Sequence, residues 1–279
     1  MLTQDFSGLW VPLVTPFDGD VVDHGALRRL VRRLGQEGAT GFVACGSTGE
    51  AASLDTVLQA AGPLPVVMGV SGYHLPQMLA WMRELGDCPL HGWLVPPPHY
   101  IRPSQAGLVA WFTAIADEAQ APIVVYDIPY RTGVTLSLDT LRELAAHPRI
   151  QAIKDCGGDA RKTEALLADG RLQVLAGEDA QIFGTLAAGG VGAIAASAHL
   201  ATQRFARLTA LLREGRLAEA RALWRALAPL VDAVFAEPNP ALIKAQLALQ
   251  GEMANTLRLP MTAASAEGAR RVAVAMTAL

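Results

Sequence analysis

Two kinds of hydrophobic pattern alternate along the first two thirds of the chain. Short continuous apolar runs occupy 9–15, 41–44, 65–69 and 92–95, and again 123–126, 151–154, 173–176 and 192–195. Runs of this length suit strands buried on both faces, as in a parallel sheet. Between them apolar residues recur at the helical period over 24–36, 76–85, 104–119, 138–146, 160–167 and 180–188, which predicts amphipathic helices. Eight strands with intervening helices predict an α/β fold, a (β/α)8 TIM barrel. One interval breaks the rhythm. From Leu54 to Pro65 there is room for barely two helical turns, interrupted by Gly62 and Pro63, so the second barrel helix is expected to be short or missing.

Beyond Ala196 the pattern holds helices only, at 199–213, 217–236, 239–250 and 265–278, with turn signals at Gly215, Pro238 and Pro260. The chain therefore divides into a barrel over 1–198, which carries the active site, and a C-terminal helical region over 199–279. The Ala-rich composition of that region favours helix, with no repeat behind it.

Composition narrows the function classes. With 51% hydrophobic and 18% charged residues, a disordered chain is excluded. A net charge of −3 argues against a nucleic-acid partner, which would demand a basic face. Cys45, Cys88 and Cys156 are odd in number and fit no C-x-x-C pattern, so free thiols of a cytoplasmic protein are expected. No signal peptide is visible at the N-terminus, and no apolar stretch is long enough to span a membrane. The histidines at 24, 74, 91, 99, 147 and 199 lack a metal-ligand pattern and are expected to decorate helices and loops, so neither metal nor cofactor is called for.

In a barrel of this kind the chemistry sits where strands end, at the C-terminal face. Three strand ends carry polar residues: Gly46-Ser47-Thr48-Gly49-Glu50, Tyr126-Asp127-Ile128-Pro129-Tyr130-Arg131 and Ile153-Lys154-Asp155. A lysine ending a buried strand must be paired or desolvated, and a neutral amine is the form that attacks a ketone. The structural alternative for Lys154 is an ion pair with Asp155 or Glu178. Gly46 and its neighbours could form a nest of N–H groups for a carboxylate, with Ser47 and Thr48 adding donors, or be an ordinary capped turn. Tyr126 could shuttle protons or simply line the barrel.

In this order, these segments resemble the dihydrodipicolinate synthase/N-acetylneuraminate lyase family of class I aldolases. The likeness runs from Gly8-Leu9-Trp10-Val11-Pro12 through the three strand ends, Gly177-Glu178-Asp179 and Gly189-Gly190-Val191-Gly192, to Glu237-Pro238-Asn239-Pro240 and Lys244. The resemblance implies that Lys154 forms a Schiff base with a pyruvate-type 2-oxo acid. It makes Tyr126 the proton-transferring tyrosine, with Ser47 relaying protons and Thr48 holding the keto-acid carboxylate. Tyr100 would be lent by a neighbouring subunit, which makes the chain a homo-oligomer, dimer or tetramer. Arg131 would bind the carboxylate of the aldehyde substrate, and Ile194 would line the keto-acid pocket.

Within that family, Arg131-Thr132-Gly133 and Glu237-Pro238-Asn239-Pro240 resemble the synthase branch, which condenses pyruvate with aspartate semialdehyde in lysine biosynthesis. The Ser47 spelling of the turn is closer to the lyase branch. Asp127 stands where asparagine is usual, adding a negative charge expected near the site, and Tyr130 fills a position often held by a small residue. Another pyruvate-linked aldolase and a catalytically idle keto-acid sensor remain as alternatives. In lysine-inhibited synthases an interface site takes up lysine, and the matching positions here include Ala51, Ala52, Thr56, Tyr73 and Gln77.

Overall fold

The computed structural model describes residues 3–46 and 54–279. In chain order the elements are β1 (Gly8–Pro12), β2 (Phe17–Asp18), β3 (Val21–Val22), α1 (His24–Gln36), β4 (Gly41–Ala44), α2 (Leu54–Ala61), β5 (Val66–Gly69), α3 (Leu75–Glu84) and β6 (Gly92–Val95). They continue with α4 (Gln105–Glu118), β7 (Ile123–Asp127), α5 (Pro129–Thr132), α6 (Leu138–Leu144), β8 (Ile150–Asp155), α7 (Ala160–Asp169), β9 (Gln173–Ala176), α8 (Ile182–Ala187) and β10 (Gly192–Ile194). Four helices close the chain: α9 (Thr202–Arg213), α10 (Leu217–Val234), α11 (Ala241–Leu249) and α12 (Ala266–Thr277).

The parallel strands β1, β4, β5, β6, β7, β8, β9 and β10 close into one barrel, with β4 returning to β1. Their side chains alternate between two cores, as period 2 requires. One set points into the lumen and packs there: Trp10, Val43, Val67, Leu94, Val124, Ala152, Leu175 and Ile194, one from each strand. The neighbouring positions, among them Leu9, Phe42, Val66, Val95, Val125, Ile153 and Val174, pack outward against the helices. This double burial is why the strands read as unbroken apolar runs. The N-terminal end of the barrel is plugged. Trp10, Phe6 and His91 meet there with ring centroids 5.1–5.9 Å apart, and the Trp10 indole donates to Phe6 O at 2.8 Å. Gln151 and Gln173, near the starts of their strands, accept from the Gln4 and Phe6 N–H groups and so strap the N-terminal segment over the opening. Only the opposite, C-terminal face is left to receive a ligand.

The surrounding helices start where sequence supplies a cap. Asp23, Ser104, Ser137 and Asp159 each accept a first-turn N–H with the side chain, an arrangement worth about 1 kcal/mol each. The second barrel helix is present, and among the described residues it is short: α2 covers eight of them, about two turns. Helix α9 follows the eighth strand and packs against β1 and α8. Packing thus joins the first of the four C-terminal helices to the barrel layer, while α10, α11 and α12 lie beyond it. Among the described residues, no helix is long and apolar enough to cross a membrane.

His199 departs from the expectation that histidines decorate the surface, for it is fully buried. Its Nδ1–H donates to Ala196 O at 2.8 Å, and its Nε2 accepts from Val14 N–H at 3.2 Å. These contacts tie the chain after β10 to the chain after β1 and require the neutral ring. Burial pushes its pKa down to about 4, with the Arg33 charge adding to the effect against the Ala196 hydrogen bond. The unfolded chain then binds more protons than the folded one between roughly pH 4 and 6.5. Stability from this group is complete above the unfolded pKa and lost as pH falls through that window, by about 2 kcal/mol at pH 5. Asp179, raised to about 6 by burial, titrates there with the opposite sign, so the comparison must be between variant and parent. His199→Gln, which keeps a donor and an acceptor without the titration, should flatten the fall in urea-unfolding stability between pH 7.5 and 5. An unchanged slope would show that His199 is not the group responsible.

Candidate active site

Strands β7 and β8 run in register, with Tyr126 beside Lys154 and Asp127 beside Asp155. Because side chains alternate, the first pair faces the lumen and the second faces the helices. Both lumen residues are 6% exposed. The Lys154 Nζ lies over the Tyr126 ring, 4.2 Å from its centroid. No ion pair to Lys154 is found among the described residues. Asp155 cannot provide one, since its carboxylate accepts from Gly157 N–H and from the Thr163 hydroxyl on the outer side.

Around the amine lie Pro12, Ile194, Gly177, Glu178, Asp179 and Arg131, lining one small cavity with Lys154 and Tyr126. Asp179 is buried, and its carboxylate accepts from Ser197 N–H at 2.6 Å and Ala196 N–H at 3.2 Å. Burial raises its pKa to about 6, while these hydrogen bonds and the Lys154 charge work against the rise. Burial likewise pushes the Cys156 thiol up. Gly177 is required by close approach. A Cβ there would stand 2.8 Å from Lys154 Cγ and 2.9 Å from Asp155 O, and closer still to Cys156 Sγ.

Outward from the amine the barrel mouth opens into a cavity of about 500 Å³. Tyr126 and Arg131 line both spaces, and Cys45, Gly46 and His99 line the outer one. Its far wall is the segment Arg258-Leu259-Pro260-Met261. That segment is held because the Arg258 guanidinium stacks 4.2 Å over the Phe17 ring and donates to Asp20 O at 2.6 Å. The structure therefore brings together Lys154, Tyr126, Arg131, Ile194 and Gly46 of the residues expected from sequence. Ser47 and Thr48, with Ala51 and Ala52, lie outside the described residues. Tyr100 lines neither cavity: it is 89% exposed on a loop where its φ is +71°. One expectation for the neighbouring loop changes. Asp127 brings no negative charge into the lumen, because period 2 turns it outward, where it meets Lys162 Nζ at 2.5 Å. Tyr130 stands exposed at the rim, with the Arg131 guanidinium 5.7 Å from its ring centroid.

Asp179 and the 258–261 wall were not singled out from sequence. The first carried a signal, an acidic pair directly after a strand end; the second carried none beyond the turn residue Pro260. Among the described residues, no three His, Cys, Asp or Glu side chains converge as a metal-ligand set.

A closed parallel barrel with a buried lysine against a tyrosine in its open mouth defines a class, the lysine-dependent barrel lyases. The chain belongs to the dihydrodipicolinate synthetase family, whose family model matches residues 5–279. It is 35% identical over 268 residues to the 4-hydroxy-tetrahydrodipicolinate synthase of Pelobacter propionicus, covering 92% of each chain. Among solved structures it resembles the chloride-inhibited dihydrodipicolinate synthase of Acinetobacter baumannii complexed with pyruvate (TM-score 0.94, 28% identity, 98% of this chain and 99% of that one). It also resembles the Cyanidioschyzon merolae enzyme with lysine bound (TM-score 0.93, 28% identity, 98% of each chain).

Since Gly177 packs on the lysine stem, Gly177→Ala should displace the amine while leaving the outer helices untouched. Misplacement by about 1 Å can cost on the order of 100-fold in rate. Adduct formation with pyruvate, followed by timed borohydride quench and mass spectrometry, should slow by at least roughly tenfold. A rate equal to the parent's would show that the stem tolerates the extra methyl.

Proposed function

We propose that the chain catalyses the 4-hydroxy-tetrahydrodipicolinate synthase reaction, joining pyruvate to aspartate semialdehyde through a Schiff base on Lys154. The observation that carries this is the Lys154 amine at the end of β8, inside the open mouth and over the Tyr126 ring. The amine adds to the pyruvate ketone, and the carbinolamine loses water to give a cationic imine. That cation draws electrons from the C–H bonds of the methyl group, so a proton leaves and a nucleophilic enamine forms. The enamine carbon attacks the aldehyde of the second substrate. The amino group of that substrate then displaces the Lys154 nitrogen at the imine carbon, closing the ring and freeing the lysine.

Proton transfers at the carbinolamine and the imine need a group within reach. Tyr126 is the tyrosine assigned to them, a role supported by its ring lying under the Lys154 amine, and Ser47 is the hydroxyl assigned to pass protons to and from it. Ile194 borders the keto-acid space, with Gly46 and Thr48 assigned to the carboxylate. Arg131 lines the passage between the inner and outer cavities, where a guanidinium can take the carboxylate of the aldehyde substrate with two parallel hydrogen bonds. The exposure of Tyr100 supports its assignment to a neighbouring subunit's site, and with it a homo-oligomer of at least two chains.

Borohydride reduction in the presence of pyruvate should add one pyruvate-derived group to Lys154, seen by peptide mass. Lys154→Ala should lose both adduct and turnover. An adduct of equal yield in that variant would overturn the mechanism.

The regulatory positions point to a second outcome. Thr56 is buried and hydrogen-bonded to His24 at 2.8 Å, Ala51 and Ala52 have no side-chain donor, and Tyr73 and Gln77 are exposed. Taking up a free amino acid demands partners for an ammonium and a carboxylate, each costing several kcal/mol if buried unpaired. L-Lysine at about 1 mM, a weak-binding regime of about −4 kcal/mol, should leave turnover unchanged. A dose-dependent fall over that range would refute this.

A further inference from the structure

Asp127, which the family resemblance marks as a departure, is tied to Lys162 on the outer side of the barrel. The pair is buried, with Asp127 fully covered and Lys162 6% exposed. Its geometry is more than an ion pair. Asp127 Oδ2 accepts from Lys162 Nζ at 2.5 Å, and Oδ1 accepts from Leu136 N–H at 3.3 Å. Lys162 Nζ also donates to Leu136 O at 3.3 Å. Both peptide groups of Leu136 are therefore held by one charged pair. Gly157 lies against it so tightly that a Cβ would stand 2.8 Å from Lys162 Nζ and 3.1 Å from Asp127 Oδ2.

What this closes is the excursion from Asp127 to Leu136. That excursion contains α5, Tyr130 and Arg131, the residues that line the passage to the amine. Its start is fixed by strand pairing with β8. Its end has no strand partner and depends on side chains: the Asp127–Lys162 pair, and Gln105, which donates to Thr135 O and accepts from Ser137 N–H.

We propose that Lys162 and Asp127 are positioning residues for the second substrate: they cinch the base of the loop that presents Arg131. Neither touches the lumen, and the pair is neutral as a whole, so Lys154 and its reaction with pyruvate are not what it controls. The inference rests on the function proposed above, and two separate readings keep the two apart. Pyruvate trapping on Lys154 reports that function; the KM for the aldehyde reports the clamp.

Lys162→Met removes the cation and the bond to Leu136 O. It should raise the KM for aspartate semialdehyde about tenfold, with kcat, the KM for pyruvate and the trapping yield within about twofold. The double variant Asp127→Asn with Lys162→Met leaves no unpaired buried charge, and its amide oxygen can still accept from Leu136 N–H. It should recover thermal stability while keeping at least a roughly threefold higher KM for the aldehyde. That separates positioning from stability, and it supplies the same two readings if the single variant does not fold. An unchanged KM for the aldehyde in a folded variant, or a parallel loss for both substrates, would overturn the proposal.

Discussion

Side-chain alternation along two parallel strands in one register decides what each polar group of this protein can do. With Tyr126 level with Lys154, both enter the lumen, and the residues that follow them, Asp127 and Asp155, leave it. A slip of one residue in either strand would turn its whole set over. A slip in β7 would carry the Asp127 carboxylate into the lumen beside the amine, and a slip in β8 would bring Asp155 in and leave Lys154 among the helices. The closure of the barrel forbids the slip, because every strand is held on both edges and each lumen residue packs against those of the other strands. The separation of acid from amine is thus a property of the sheet, and the outward acids are free to hold helix α7 and the loop after β7.

Much of this was legible in sequence, for identifiable reasons. The strand runs at 41–44, 92–95 and 173–176 coincide with β4, β6 and β9, since burial on both faces leaves no polar interruption to blur their ends. The first run, 9–15, overshoots: β1 ends at Pro12. Leu13 and Val14 are as buried as the strand, but Val14 gives its N–H to His199. An apolar run records burial and not pairing. The outward turn of Asp127 could have been read from its place one residue after Tyr126. Its partner could not, because Lys162 lies 35 residues away and reaches it only through the approach of α7. The 258–261 wall is silent in sequence for the same reason. The role of Tyr100, and the division of roles between Ser47 and Thr48, came from the resemblance, and Ser47 and Thr48 lie outside the described residues.

In the function proposed, the two substrates would be served by differently built parts of the molecule. The amine, Tyr126 and Ile194 stand on three barrel strands, whose order is as firm as the barrel itself. The outer cavity is walled on one side by the loop carrying Arg131 and on the other by the segment around Arg258. Neither belongs to the sheet. The first is held by the buried pair and Gln105. The second is held by Arg258 on Phe17 and Asp20, and more remotely by Glu252 on Arg33 at 2.9 Å. Local stability follows the density of buried contacts, so the outer cavity should open at lower free energy than the strands beneath it. On that proposal, a nucleophile fixed on strands and an electrophile site formed by loops would let one wall change while the imine chemistry stays intact. In this chain the Asp127–Lys162 pair stands behind one of those walls, on the outer side of the barrel, and leaves the lumen in front of it untouched.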